Sequence, residues 1–133
     1  MPSQSFDPRI DQVRSARHFA EAVARRLGCA TEEVALVVSE LAANACQHAQ
    51  TPFEVSIERH DSALLVELLD HGPNAVFEME PPLTAERGRG VRIVATVARS
   101  WGVRPHSPEG KLVWAELDCR PLHASTQCQG FPQ

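Results

Sequence analysis

The apolar period of this chain changes abruptly at Pro52, and that change restricts the folds open to it. Before Pro52, Val13, Ala16, Ala20, Val23, Ala24 and Leu27 recur at three- and four-residue intervals, and so do Val34, Val38, Leu41 and Ala45. That spacing lines one face of a helix with about 3.6 residues per turn. After it, Phe53, Val55 and Ile57 alternate with Glu54, Ser56 and Glu58, the pattern of a strand with one buried and one wet face. Helices that each bury one stripe, followed by strands that each bury one face, are satisfied by packing one layer on the other.

Residues 1–10 read as a leader holding Pro2 and Pro8, with Ser3 to Phe6 able to add an edge strand. A first helix runs from Asp11 and stops at Gly28; Thr31 is placed to cap a second, with Glu32 and Glu33 at its positive end. His60-Asp61-Ser62 breaks the strand pattern and Ala63 to Leu69 forms a second strand, an antiparallel hairpin closed by Asp70-His71-Gly72. Residues 74–87 read as a surface loop. A third helix follows Gly88-Arg89-Gly90, carries Val91, Val94, Val97, Ala98 and Trp101, and is closed by Gly102. Val103 to His106 and Lys111 to Leu117 form a last hairpin, and residues 119–133 read as a flexible tail. The prediction is one α+β domain over residues 11–118, a two-layer α/β sandwich with three helices over a mostly antiparallel sheet.

Composition narrows the function classes. A chain of 133 residues with 43% hydrophobic residues supports one core, and a net charge of -4 lacks the basic face that nucleic acid requires. The sequence has no apolar run long enough to span a bilayer and no secretory signal pattern, so a cytoplasmic location is expected. Cys29, Cys46, Cys119 and Cys128 contain no CxxC pair and are expected to be reduced thiols, with Cys46 packed as a small apolar residue.

Polar groups interrupt this frame in three places. Glu40, Asn44 and His48 stand at i, i+4 and i+8, in one row along the edge of the second helix's apolar stripe. A carboxylate there can take a proton and a carboxamide oxygen can ligate Mg²⁺, although a solvated helix edge looks the same in sequence. Asp70-His71-Gly72 is either a turn or a built feature, because Asp bonds its own backbone and Gly tolerates positive φ. Gly88 and Gly90 at a helix start leave backbone amides free for an anion such as phosphate.

Taken together, these segments resemble a known set of motifs. Glu40-Leu-Ala-Ala-Asn44-Ala-Cys-Gln-His48 resembles the N box of the GHKL ATPases, the superfamily of gyrase and histidine kinases; Asp70-His71-Gly72 resembles its DxG box and Gly88-Arg89-Gly90 its second glycine box. The ending Gly110-Lys111-Leu112-Val113-Trp114-Ala115-Glu116 is similar to that of the stand-alone anti-sigma-factor serine kinases. The resemblance implies the Bergerat-type ATP-binding fold and Mg²⁺ and ATP as cofactors. It implies that Asp70 accepts from the adenine amine, Gly72 lets the ring approach, Asn44 completes the Mg²⁺ shell, and the amides around Gly88, Arg89 and Gly90 hold phosphate. Glu40 is the implied general base toward a protein serine. The implied partners are a sigma factor or a STAS-type anti-anti-sigma protein, with a homodimer as relatives often form; the alternative is a non-catalytic ATP-dependent module that sequesters a regulator. Leu112 stands where relatives carry a Thr near the adenine, and neither donates nor accepts.

Overall fold

The computed structural model describes residues 2–72, 88–106 and 110–122, with residues 88–92 as backbone only. Among these, three α-helices cover one face of a five-stranded sheet. The strands are β1 (Ser3–Phe6), β2 (Phe53–His60), β3 (Ala63–Asp70), β4 (Ser100–Pro105) and β5 (Lys111–Asp118), and the helices are α1 (Gln12–Arg26), α2 (Glu32–Asn44) and α3 (Gly88–Val97). The spatial order is β1-β2-β3-β5-β4 and every pair is antiparallel, so β5 returns between β3 and the edge strand β4. This is the expected α+β sandwich.

The periods read from the sequence translate into burial. Ala16, Ala20, Val23 and Ala24 of α1 and Val34, Val38 and Leu41 of α2 are buried against Phe53, Val55 and Ile57 of β2 and against Val66, Leu68, Val113, Ala115 and Leu117. The leader strand β1 is held by Phe6, whose ring stacks on Phe53 at 5.5 Å between centroids and meets Phe19 edge-on at 6.1 Å. Gly28, at φ +83, ends the α1 segment where an L side chain would be strained. The Arg59 guanidinium at the β2–β3 turn then donates to the Leu27 carbonyl at 2.6 Å, satisfying an oxygen that the helix end leaves bare.

Four expectations need correction. Thr31 does stand at the N-cap of α2, but its hydroxyl makes no capping bond. The third helix stops at Val97, and Trp101 and Gly102 belong to β4. Gly102 lies opposite Trp114, whose indole covers it so closely that a Cβ there would stand 2.9 Å from the indole nitrogen. The glycine therefore answers a cross-strand packing need rather than a helix stop.

The third and fourth corrections share one cause. Cys29 and Cys119 are disulfide-bonded, with Cα atoms 5.0 Å apart across 90 residues of sequence, rather than reduced. Residues 119–122, expected to begin a flexible tail, are tied to the body. Cys119 N donates to the Ser62 carbonyl at 2.7 Å, Ala30 N to the Arg120 carbonyl at 2.6 Å and Leu122 N to the Gly28 carbonyl at 3.1 Å. A short bridge between Cys29 and Pro121 thus brings the two sulfurs together, a pairing that no local spacing encodes. The expectations for residues 74–87 and 123–133 lie outside the described residues. Cys46 is free and half-buried; its thiol donates to the Arg9 carbonyl at 3.4 Å, and burial first, then the nearby Asp11 charge, pushes its pKa up.

The disulfide closes a long loop, and closing such a loop in the unfolded chain stabilises the fold by about 2–4 kcal/mol. Urea unfolding with and without dithiothreitol is therefore expected to show a clear loss of midpoint on reduction. Coincident curves would mean that the bond contributes nothing.

Candidate functional site

The site is built where the helix layer ends over one edge of the sheet. Glu40 and Asn44 lie one turn apart on α2, both half-buried, and Asn44 is the last α-helical residue. The next five residues, Ala45–Ala49, form a π-helical turn, with Gln50 N bonded back to the Ala45 carbonyl at 3.2 Å and Gln50 itself left-handed at φ 57. Short π turns are uncommon and often sit at functional sites. His48 lies within this turn and is half-buried.

The π turn is where the second motif docks. Gly72 is buried against Ala49, and a Cβ on it would come 2.6 Å from the Ala49 Cα and 2.9 Å from its carbonyl oxygen. A glycine is required here by this approach of two backbones. His71 N donates to the Thr51 hydroxyl at 3.0 Å, a second tie between the end of β3 and the segment that follows the π turn. Sequence reasoning missed Ala49 and Thr51, since neither carries chemistry by itself.

Asp70 closes β3 and is fully buried. Its Oδ1 accepts from Gly72 N at 3.1 Å, the local side-chain-to-backbone bond that the Asp-x-Gly sequence favours. Its Oδ2 accepts from Lys111 Nζ at 2.8 Å, and Lys111 is only 3% exposed. The pair exists because the β3–β5 register sets Asp70 directly opposite Lys111.

That register corrects the reading of the last strand. Lys111, Val113, Ala115 and Leu117 face the helices while Leu112, Trp114 and Glu116 face away, so Leu112 is on the wrong side of the sheet to meet anything beside Asp70. The residue at the site is Lys111, which the sequence reading overlooked. A signal was present: Lys111 stands in phase with the buried row of a strand, where a charge needs a partner.

The third motif is placed by α3, which packs along α2. Gly88, Arg89 and Gly90 form its first turn, whose amides have no acceptor within the helix. The Arg89 side chain lies outside what the structure describes. The described backbone therefore joins Asp70 and Gly72 to the end of the Glu40–Asn44 helix by direct contact, and sets the Gly88–Gly90 turn on a helix packed against it.

A model of the histidine kinase-like ATPase domain matches residues 6–117, and the chain belongs to that family. The family is that of the superfamily whose motifs the sequence resembles, and an ATP-binding, kinase-like character follows from membership. Among solved structures, the chain is similar to the Acinetobacter baumannii histidine kinase AdeS at 14% identity and a TM-score of 0.49, over 90% of this chain and 68% of that one. No curated protein matches the sequence. Among the described residues no helix is long and apolar enough to cross a membrane.

The buried pair gives a test of the site's construction. Removing one partner leaves a dry, unpaired charge, so Lys111→Met is expected to cost about 3–5 kcal/mol in urea unfolding. Asp70→Asn combined with Lys111→Met removes both charges and should recover much of that loss. Equal stability of wild type and Lys111→Met would show that the pair is not buried as described.

Proposed function

We propose that this protein is an ATP-binding regulator that transfers the γ-phosphate of Mg·ATP to a serine of a STAS-type anti-anti-sigma partner, in the manner of the anti-sigma serine kinases it resembles. The observation that carries the proposal is the joining of Glu40 and Asn44, through the π turn at Ala49, to the Asp70–Gly72 corner. A family match over residues 6–117 supports the nucleotide half of the reading.

The donor set fits the group the family implies. The Asn44 carboxamide oxygen is a hard ligand suited to Mg²⁺, which keeps phosphate oxygens and water as its other ligands. Bound Mg·ATP would supply the phosphoryl group and neutralise charge on the phosphates. The chain's own residues do the rest. Asp70 accepts from a base amine, and the amides of the first turn of α3 receive phosphate oxygens. Glu40 takes the proton of the incoming serine hydroxyl, so that its removal slows transfer without emptying the site. In this reading the partner is a sigma factor or the STAS-type protein, the site of action is the cytoplasm, and a homodimer is the working assembly.

A second reading is a sequestering module that binds nucleotide and partner without transfer. The engagement of both Asp70 oxygens favours it, because each already gives a lone pair to a protein donor and less of the carboxylate is left to hold a base. Labelled γ-phosphate transfer to the partner recovered by pull-down separates the two. Glu40→Ala is expected to hold Mg·ATP and the partner yet lose transfer by about 10² to 10⁴. Absence of transfer by wild type with ATP bound would leave the sequestering module.

A further inference from the structure

We infer that Lys111 sets the base preference of the site, so that it accepts a 6-oxopurine nucleotide such as GTP alongside ATP; the inference rests on the reading of Asp70 as the base acceptor. A carboxylate alone can only accept hydrogen bonds. Facing position 6 of a purine, it takes a proton from the adenine amine and repels the guanine carbonyl.

Lys111 changes that pattern. Its ammonium lies 2.8 Å from Asp70 Oδ2, and among the described residues it has no other hydrogen-bond partner. An ammonium carries three donors, so two remain for a ligand. Asp70 is held in place by Gly72 N on its other oxygen, and a carboxylate retains lone pairs beyond these two bonds. The site therefore presents an acceptor and a donor side by side. Adenine offers a donor at position 6 and an acceptor at N1, whereas guanine offers an acceptor at position 6 and a donor at N1. Each edge matches the pair, taken in opposite order.

Three features keep Lys111 where this requires. Its register opposite Asp70 is fixed by the ladder of β3 and β5. Gly110, at φ +109, brings the start of β5 against the end of β3, where a Cβ would stand 2.8 Å from the His71 Cα. Leu112 faces the other side of the sheet and offers no competing group. Burial of both charges sharpens the discrimination, because a polar atom left unmatched in a dry site loses its water without replacement.

Calorimetry with Mg·ATP and Mg·GTP on the full chain tests this. Wild type should bind the two within about tenfold of each other, and Lys111→Met should lose GTP about ten- to a hundredfold more than ATP, since the guanine carbonyl then faces the carboxylate alone. Lys111→Arg, which keeps the charge and N–H donors, should keep the tolerance. The wild-type ratio needs no variant and decides even if Lys111→Met fails to fold. ATP binding with GTP refused by more than about a hundredfold, or a ratio unmoved in Lys111→Met, overturns the role of Lys111 and leaves the nucleotide reading standing. Binding of neither nucleotide by folded wild type overturns both.

Discussion

Two opposite charges held away from water, Asp70 and Lys111, join the last residue of β3 to the first of β5, and the candidate site is arranged around keeping them there. Such a pair contributes little to stability by itself, because desolvation offsets most of the attraction. Its effect is positional. The ammonium and the Gly72 amide fix the carboxylate from two sides, Gly72 must then lie against Ala49, and the π turn supplies the backbone that Gly72 meets. The end of the Glu40–Asn44 helix and the end of β3 are thereby set relative to each other by backbone contact, which a loop-to-loop arrangement could not guarantee.

Much of the fold was legible because its signals are local. Helical spacing in Val34, Val38 and Leu41 and alternation in Phe53, Val55 and Ile57 each need only one element to be read, and each became a buried row. The errors came from residues whose role is set by a distant partner. Gly102 looked like a helix stop because its reason, the Trp114 indole, lies on the neighbouring strand. Cys29 and Cys119 looked like separate thiols because 90 residues lie between them and only the docking of residues 119–122 unites them.

The candidate site divides in the same way. Glu40, Asn44, Asp70 and the Gly88–Gly90 turn could be named from type and spacing, since each belongs to a short motif. Lys111 could be found only by carrying the period of β5 back two residues from Val113, which places a charge in the row of Val113, Ala115 and Leu117. Leu112, the next residue, faces the opposite side of the sheet by the same alternation. The π turn had no sequence signal that we can identify, although it supplies the backbone on which Gly72 rests.

The central claim is that Asp70 is the atom-level contact through which this chain recognises a nucleotide base. Calorimetric titration of Mg·ATP into wild type and Asp70→Asn measures it most directly, since the substitution replaces an acceptor oxygen by a donor at an unchanged volume. With both proteins shown to be folded, the account predicts a loss of affinity of about ten- to a hundredfold in Asp70→Asn. Equal affinity in the two proteins would contradict it and move the base away from the corner of β3 and β5.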